Sequence, residues 1–404
     1  MADRFARSRN LLKRARKVIP GGLWGAVRQP SFLDAGQYPV FAVRAEGARF
    51  MDVDGNWFID YVCGDGAVVS GHANLVVDEA VVFAARQGEC MSLGTELSVE
   101  VAEKLVGQVS GMDWCAWGRT AAESIAVAVQ VARSHTLRRL VVAFEGDVDV
   151  PDSLVALRCP FNDVHALAQL FRERPKEIAA VVVPPVLLAP GRPCRGASPE
   201  LLSEARRLTR DTGALLIMNE LRTAFRVGLK GCHERLGVEV DLTCMGPAVA
   251  NGWPLSVVMG AGHLAKAAAQ VPLAEELVVG ASALSAAAAN VRLLVENDGV
   301  ARMERLGARL CEGLVRLGKR HDVLLEVSGP HALPMITIAD DPSGRAMGWF
   351  AKEMVALGTF VHPRRNWFLT TAHTEAHIEE TLHHADRVLG FLSRARRAFE
   401  PGAP

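Results

Sequence analysis

The sequence predicts an α/β protein: a large domain on a mostly parallel sheet covered by helices on both faces, followed by a smaller C-terminal α/β domain. Three observations predict it. Short, continuously apolar runs recur beyond about residue 95, at Leu140–Phe144, Ile178–Val183, Ala214–Met218, Leu242–Met245 and Ser256–Met259. Helical patterns at 121–134, 164–173 and 198–212 separate most of them. Strands with no polar alternation have no face to give to water, which is the pattern of a sheet buried on both sides. After residue 285 the pattern changes. A long Ala-rich helix leads into strand-like pieces at 333–338 and 359–362, mixed with terminal helices at 345–357 and 375–397. At 404 residues the chain also exceeds the size at which one hydrophobic core stops growing.

The N-terminal elements follow from local chemistry. Residues 5–18 read as an amphipathic helix, closed by the breaker cluster Ile19-Pro20-Gly21-Gly22. Residues 47–62 read as a hairpin, because two β-rich runs flank Asp54-Gly55, a pair suited to positive φ. The expected division is an N-terminal segment 1–46, a large domain 47–290 and a small domain 291–404.

Composition narrows the function. Lys plus Arg equals Asp plus Glu at 45 each, so the chain has no general electrostatic reason to bind nucleic acid or an anionic membrane. The basic stretches Arg14-Ala15-Arg16-Lys17 and Arg394-Ala395-Arg396-Arg397 read as solvated helix faces. Eight cysteines without C-x-x-C pairs suggest free, mostly buried thiols in a reducing compartment. The positively charged start lacks a following apolar region, and no uncharged apolar run approaches membrane-spanning length. These features predict a cytoplasmic protein.

A series of segments, in order, resembles the class III (fold-type I) pyridoxal phosphate-dependent aminotransferases, and most closely the glutamate-1-semialdehyde aminomutases. It begins with Ile19-Pro20-Gly21-Gly22 and Val27-Arg28, then Asp52 to Val62, Ser70-Gly71-His72-Ala73 and Gly94-Thr95-Glu96. Phe144-Glu145-Gly146, Phe161-Asn162-Asp163, Gly213 to Ile217, Phe225-Arg226-Val227, Asp241-Leu242-Thr243 and Thr371-Ala372-His373-Thr374 continue it. The resemblance spans nearly the whole chain, with one contraction between Gly146 and Phe161, and implies the fold-type I architecture and a homodimer.

The resemblance also implies a cofactor site, and there the residues depart from the family. Such chemistry needs an amine for a Schiff base, a carboxylate on the pyridinium nitrogen, a phosphate cradle and a stacking ring. The lysine position is Pro247, and Lys230 and Lys266 lie well off that strand end. The Asp of the strand-end Asp-Glu pair is Asn219, followed by Glu220. The cradle reads Arg119-Thr120-Ala121-Ala122, keeping one hydroxyl. Val148-Asp149 stands for the family's Tyr-His pair, and Ala281 for the threonine that reaches across the dimer. The expectation is therefore that no cofactor is covalently held.

The old cleft is expected to face Trp24, Arg28, Asp65, Glu123, Asp149, Asn219, Glu220, Pro247, Asn251 and Arg365. Arg28 sits where the aminomutases grip a substrate carboxylate, which a guanidinium binds in two-pronged fashion, and Arg365, in place of a family glutamate, adds positive charge near the same mouth. Asp149, Glu220 and Asn219 are the candidate catalytic groups, Asp149 foremost as acid or base. Arg28, Arg365, Trp24, Asp65, Glu123 and Asn251 are the candidate substrate contacts. His373, His377, His383 and His384 lack metal-site spacing, so no metal is expected. Three functions are compatible with this pattern. They are a cofactor-independent enzyme on a small acidic or zwitterionic metabolite, an inactive partner of an active aminotransferase in a heterodimer, and a small-molecule or non-covalent pyridoxal phosphate binder.

Overall fold

The computed structural model describes residues 4–23, 38–271, 279–339 and 341–394. Helix α1 (Ala6–Ala15) leads toward a hairpin region of β1 (Ala42–Glu46), β2 (Arg49–Asp52) and β3 (Trp57–Asp60). The Asp54-Gly55 turn forms as expected. Gly55 takes φ +88°, and the Asp52 carboxylate accepts the amides of Asp54 and Asn56 at 3.0 and 2.8 Å. Helices α2 (Leu75–Gln87) and α3 (Glu96–Gln108) follow, each opened by a side-chain cap, from Asn74 and Thr95.

Next come β4 (Trp114–Gly118), α4 (Ala121–Thr136), β5 (Leu140–Phe144), β6 (Leu157–Cys159), α5 (Val164–Glu173) and β7 (Ile178–Val183). A small ribbon of β8 (Val186–Leu187) and β9 (Arg195–Gly196) precedes α6 (Pro199–Thr212) and β10 (Leu215–Glu220). Then follow α7 (Cys232–Arg235), β11 (Leu242–Met245), β12 (Ser256–Gly260), α8 (Ala265–Ala269) and α9 (Ala281–Glu296). The chain continues through α10 (Gly299–Arg320), β13 (Leu325–Ser328), β14 (Met335–Ile338), α11 (Arg345–Leu357), β15 (Thr359–Phe360) and α12 (Glu375–Arg394).

The central sheet has seven strands in the order β4-β12-β11-β10-β7-β5-β6. It is mixed: β6, β5, β7, β10 and β11 run parallel, whereas β12 is antiparallel to both β11 and β4. An apolar run carries no direction, so the antiparallel strand was not legible from Ser256–Met259.

Alternation along the strands feeds two cores. Val141, Ala143, Leu215, Ile217, Leu242 and Cys244 pack with α4 and α8. Val142, Phe144, Leu216, Met218 and Met245 face the opposite side with α5, α6 and α9. Burial on both faces is what the apolar runs predicted. A second, four-stranded sheet runs β1-β2-β3-β15, so the N-terminal hairpin pairs with a strand from the C-terminal third. Buried Arg226 ties the same regions, donating to the carbonyls of Gly66, Val68 and Leu369.

All eight cysteines are free. Five are buried, as the expectation of mostly buried thiols requires, and Cys90 is exposed. No helix among the described residues is long and apolar enough to cross a membrane.

Candidate functional site

The carboxyl ends of β5, β10 and β11 converge at one edge of the sheet, the usual ligand crevice of parallel sheets. The period of two decides what reaches it. Asn219 and Glu220 are neighbours on β10, so their side chains leave opposite faces. Glu220, expected as a catalytic group, is corrected to a structural anchor. It is fully buried, accepts the amides of Cys232 and His233, and meets His233 Nδ1 at 2.8 Å and the Thr243 hydroxyl at 3.3 Å. Burial opposes a charge on His233, but the Glu220 contact outweighs it and raises that imidazole above its ordinary range.

Asn219 lies in the crevice, and its amide donates to a carboxylate that sequence reasoning missed. Nδ2 approaches the two oxygens of Asp147 at 3.4 and 3.2 Å. Asp147 is buried and also accepts the amide of Asp149 at 3.1 Å. Burial, then repulsion from Asp149, pushes its carboxyl up to about 6.

A second missed residue, Arg222 on the turn after β10, organises the remaining charges. Its Nε donates to Asp149 at 2.8 and 3.1 Å and its Nη2 at 2.9 Å, a two-pronged pair. Its Nη1 reaches Asp65 at 3.2 Å. Burial alone would lower this guanidinium's pKa, but Asp149 and Asp65 push it well up, so the cation is permanent. Arg365 Nη1 approaches the same Asp65 oxygen, Oδ2, at 3.9 Å. His362, beside it, is driven down to about 4 by burial and by Arg365, so it is neutral near pH 7. The crevice thus brings together Asp65, Asp147, Asp149, Asn219, Arg222 and Arg365. Of the residues expected there, Asp65, Asp149, Asn219 and Arg365 belong to this network.

Glu123 and Asn251, also expected as contacts, are held by hydrogen bonds within the scaffold. Thr120 caps α4 by accepting the amide of Glu123 at 3.2 Å, and the Glu123 carboxylate accepts the amide of Arg119 at 2.7 Å. These two bonds hold the Glu123 carboxylate beside the N-terminus of α4. Ala121 and Ala122 occupy the first turn behind it. Asn251 is likewise corrected: it accepts the amides of Val69 and Ser70 at 2.9 and 2.8 Å and donates to Gly71 at 2.9 Å. Ala281 begins α9, whose first turn is held by Glu89 through the amide and hydroxyl of Ser282. Pro247 opens a short 3-10 turn directly after β11, and Val148 is exposed. Lys230 pairs with Glu234 at 3.9 Å on the surface, and Lys266 lies in α8. Trp24 and Arg28 lie outside the described residues.

Comparison with known proteins agrees with this architecture. The class III aminotransferase family model matches residues 33–147 and 156–376, breaking in the loop after β5 where the contraction was read. The chain is 30% identical to an aminopentol aminotransferase of Sphingopyxis macrogoltabida, over 98% of this chain and 96% of that one. It is also 30% identical to a glutamate-1-semialdehyde 2,1-aminomutase of Desulfitobacterium hafniense, over 96% and 98%. The solved internal aldimine form of the FumI protein of Sphingopyxis sp. MTA144, which carries pyridoxal phosphate, superposes with a TM-score of 0.92 at 30% identity and 98% coverage of both chains. With its mixed sheet, flanking helices and near-complete coverage, the chain belongs to the class III aminotransferase family.

Proposed function

We propose that this chain is a member of the family that does not hold pyridoxal phosphate as a Schiff base. In this reading it works as a cofactor-independent enzyme on a small acidic or zwitterionic metabolite of specialised metabolism. The observation that carries the reading is the Asp65–Arg222–Asp149 network joined to Asp147 and Asn219. A crevice that merely drifted after losing a cofactor would leave scattered polar residues. Here Asp65 and Asp149 meet one guanidinium, Arg222, in hydrogen-bonding geometry, and Asn219 meets Asp147.

The residues present do not fit the cofactor. Proline at 247 offers no amine. Asn219 is neutral and its amide is already given to Asp147. The α4 N-terminus, where a phosphate would find free amides, is faced by the Glu123 carboxylate, and anions of like charge repel there. Bound cofactor would supply an electron sink, and no residue here supports one.

A second reading, an inactive partner subunit of an active homologue, draws on a different observation. Phe83, Leu93 and Val99 are 67%, 83% and 57% exposed on α2, the following loop and α3. Exposed apolar side chains so placed suit a subunit interface. The same surface fits the homodimer we propose.

The test of the first proposal is spectroscopic. The purified chain is mixed with pyridoxal phosphate, reduced with borohydride and digested. The expected result is no protein-bound aldimine absorbance and no phosphopyridoxyl-lysine by mass spectrometry. A lysine modified in stoichiometric yield would overturn the proposal. A chain that is stable only when co-expressed with an active aminotransferase would favour the second reading.

A further inference from the structure

We propose that the concavity at the amino ends of β5, β6 and β7 binds a small organic molecule through a diphosphate group. It lies at the opposite edge of the central sheet from the crevice, where Leu140, Ala156 and Glu177 stand at or just before the strand starts. The inference does not depend on what the crevice holds.

The argument is one of uncompensated charge. The concavity, of about 640 Å³, is lined by four cations, Arg133, Arg138, Arg139 and Lys176. The backbone holds two of them in place. Arg133 Nε and Nη2 donate to the carbonyls of Arg139 and Leu154 at 3.0 and 3.1 Å. Arg138 Nη1 and Nη2 donate to those of Ile178 and Thr212 at 3.1 and 2.6 Å. Each guanidinium thus spends two of its five N–H groups on neutral partners and keeps its charge and the other donors. Arg139 and Lys176 are exposed and meet no carboxylate among the described residues. The lining's one carboxylate, Glu177, pairs with Arg174 at 3.5 Å.

Cations at helix carboxyl ends have a simpler role, because they offset the helix dipole. Helices α4, α5 and α6 all end at this edge. Each presents roughly half a negative charge. Together they offset less than half of the four positive charges, so the excess calls for an anion. Two phosphates carry on the order of −3 to −4 near pH 7, which matches it, and one phosphate does not. The volume also falls within the range of small-molecule sites.

Leu137 argues for an organic part. It closes α4 in the left-handed conformation, at φ +56°, where glycine sits at lower cost. The side chain is nonetheless a leucine, 90% exposed, and it lines the concavity. An apolar group carried by the diphosphate would cover it.

Isothermal titration of the full chain tests this at about 150 mM salt, which screens loose attraction beyond about 8 Å. The probes are orthophosphate, pyrophosphate, ADP, geranyl diphosphate and a single-stranded oligonucleotide. Pyrophosphate is expected to bind about tenfold or more tightly than orthophosphate, and ADP or geranyl diphosphate to bind more tightly still. Whichever of the two does so identifies the organic part. Arg139→Gln/Lys176→Gln should weaken every diphosphate about tenfold or more, with an unchanged thermal melt, since neither side chain holds the fold. Leu137→Gly, which suits the backbone there, should remove the advantage over pyrophosphate. Arg365→Gln, in the crevice, should change nothing. If the Arg139/Lys176 double variant binds as wild type does, or Arg365→Gln removes binding, the site is overturned. If neither organic diphosphate exceeds pyrophosphate, the organic contact at Leu137 is overturned. An oligonucleotide that binds more tightly than every diphosphate, or no binding by any probe, overturns the small-molecule assignment.

Discussion

Two carboxylates, Glu220 and Asp147, stand at or beside the end of β10, and their partners separate their roles. Glu220 is enclosed by two backbone amides and His233. Replacing it with alanine strands those donors in the core, and a loss of roughly 3 kcal/mol or more is expected in denaturant unfolding. Asp147 behaves in the opposite sense. Its folded pKa of about 6 lies above the ordinary 3.8, so the folded chain favours the protonated acid. Its stabilising contribution is present below about pH 4 and is lost as pH rises through about 6. Asp147→Asn should therefore gain stability over wild type at pH 7.5, on the order of 2 kcal/mol, and lose that advantage at pH 4. A denaturation midpoint unchanged between the two pH values in wild type would contradict the assignment. Neither Asp147 nor Arg222 was legible beforehand. Both are ordinary loop residues in the sequence, and only the convergence of two strand ends brings them into one network.

At the scale of elements, the α4 N-terminus shows how the chain satisfies a site that could take an anion. Thr120 and Glu123 fill it from within. Thr120→Ala should cost about 1 kcal/mol in thermal or chemical unfolding, the usual loss of such a cap. A change near zero would mean that the cap is not formed. The S/T-x-x-E pattern was present in the sequence, so the structural role of Glu123 could have been read there. Most of the secondary structure was equally legible. β5, β7, β11, α5 and α11 begin and end where the apolar runs and helical patterns did. Helices α2 and α3 were not assigned. Apolar residues on their outer faces, Val82, Phe83 and Val99 among them, blur the stripe that marks an amphipathic helix. The short strands β4 and β6 were missed as well. β4 carries Trp, Cys and Gly, and β6 spans only three residues, so neither shows a clear period.

The features that blurred those helices become informative for the whole molecule. Exposed Phe83 and Leu93 are expected to be covered by a second subunit. Light scattering should give a dimer mass for wild type and a monomer mass for a Phe83→Asp/Leu93→Asp double variant. A wild-type monomer would remove the proposed interface.

The sequence by itself determined the class of fold, because burial on both faces leaves its mark in unbroken apolar runs. It also placed Pro247 just beyond an apolar strand, where the structure has it after β11. The tertiary structure decided which polar residues face the crevice and which serve the core. Asn219 and Glu220 are adjacent in the chain and on opposite sides of the sheet. Asp149 and Arg222 are 73 residues apart and two-pronged partners. Charge pairing depends on distance through space, and that distance is set only when the strands are laid side by side.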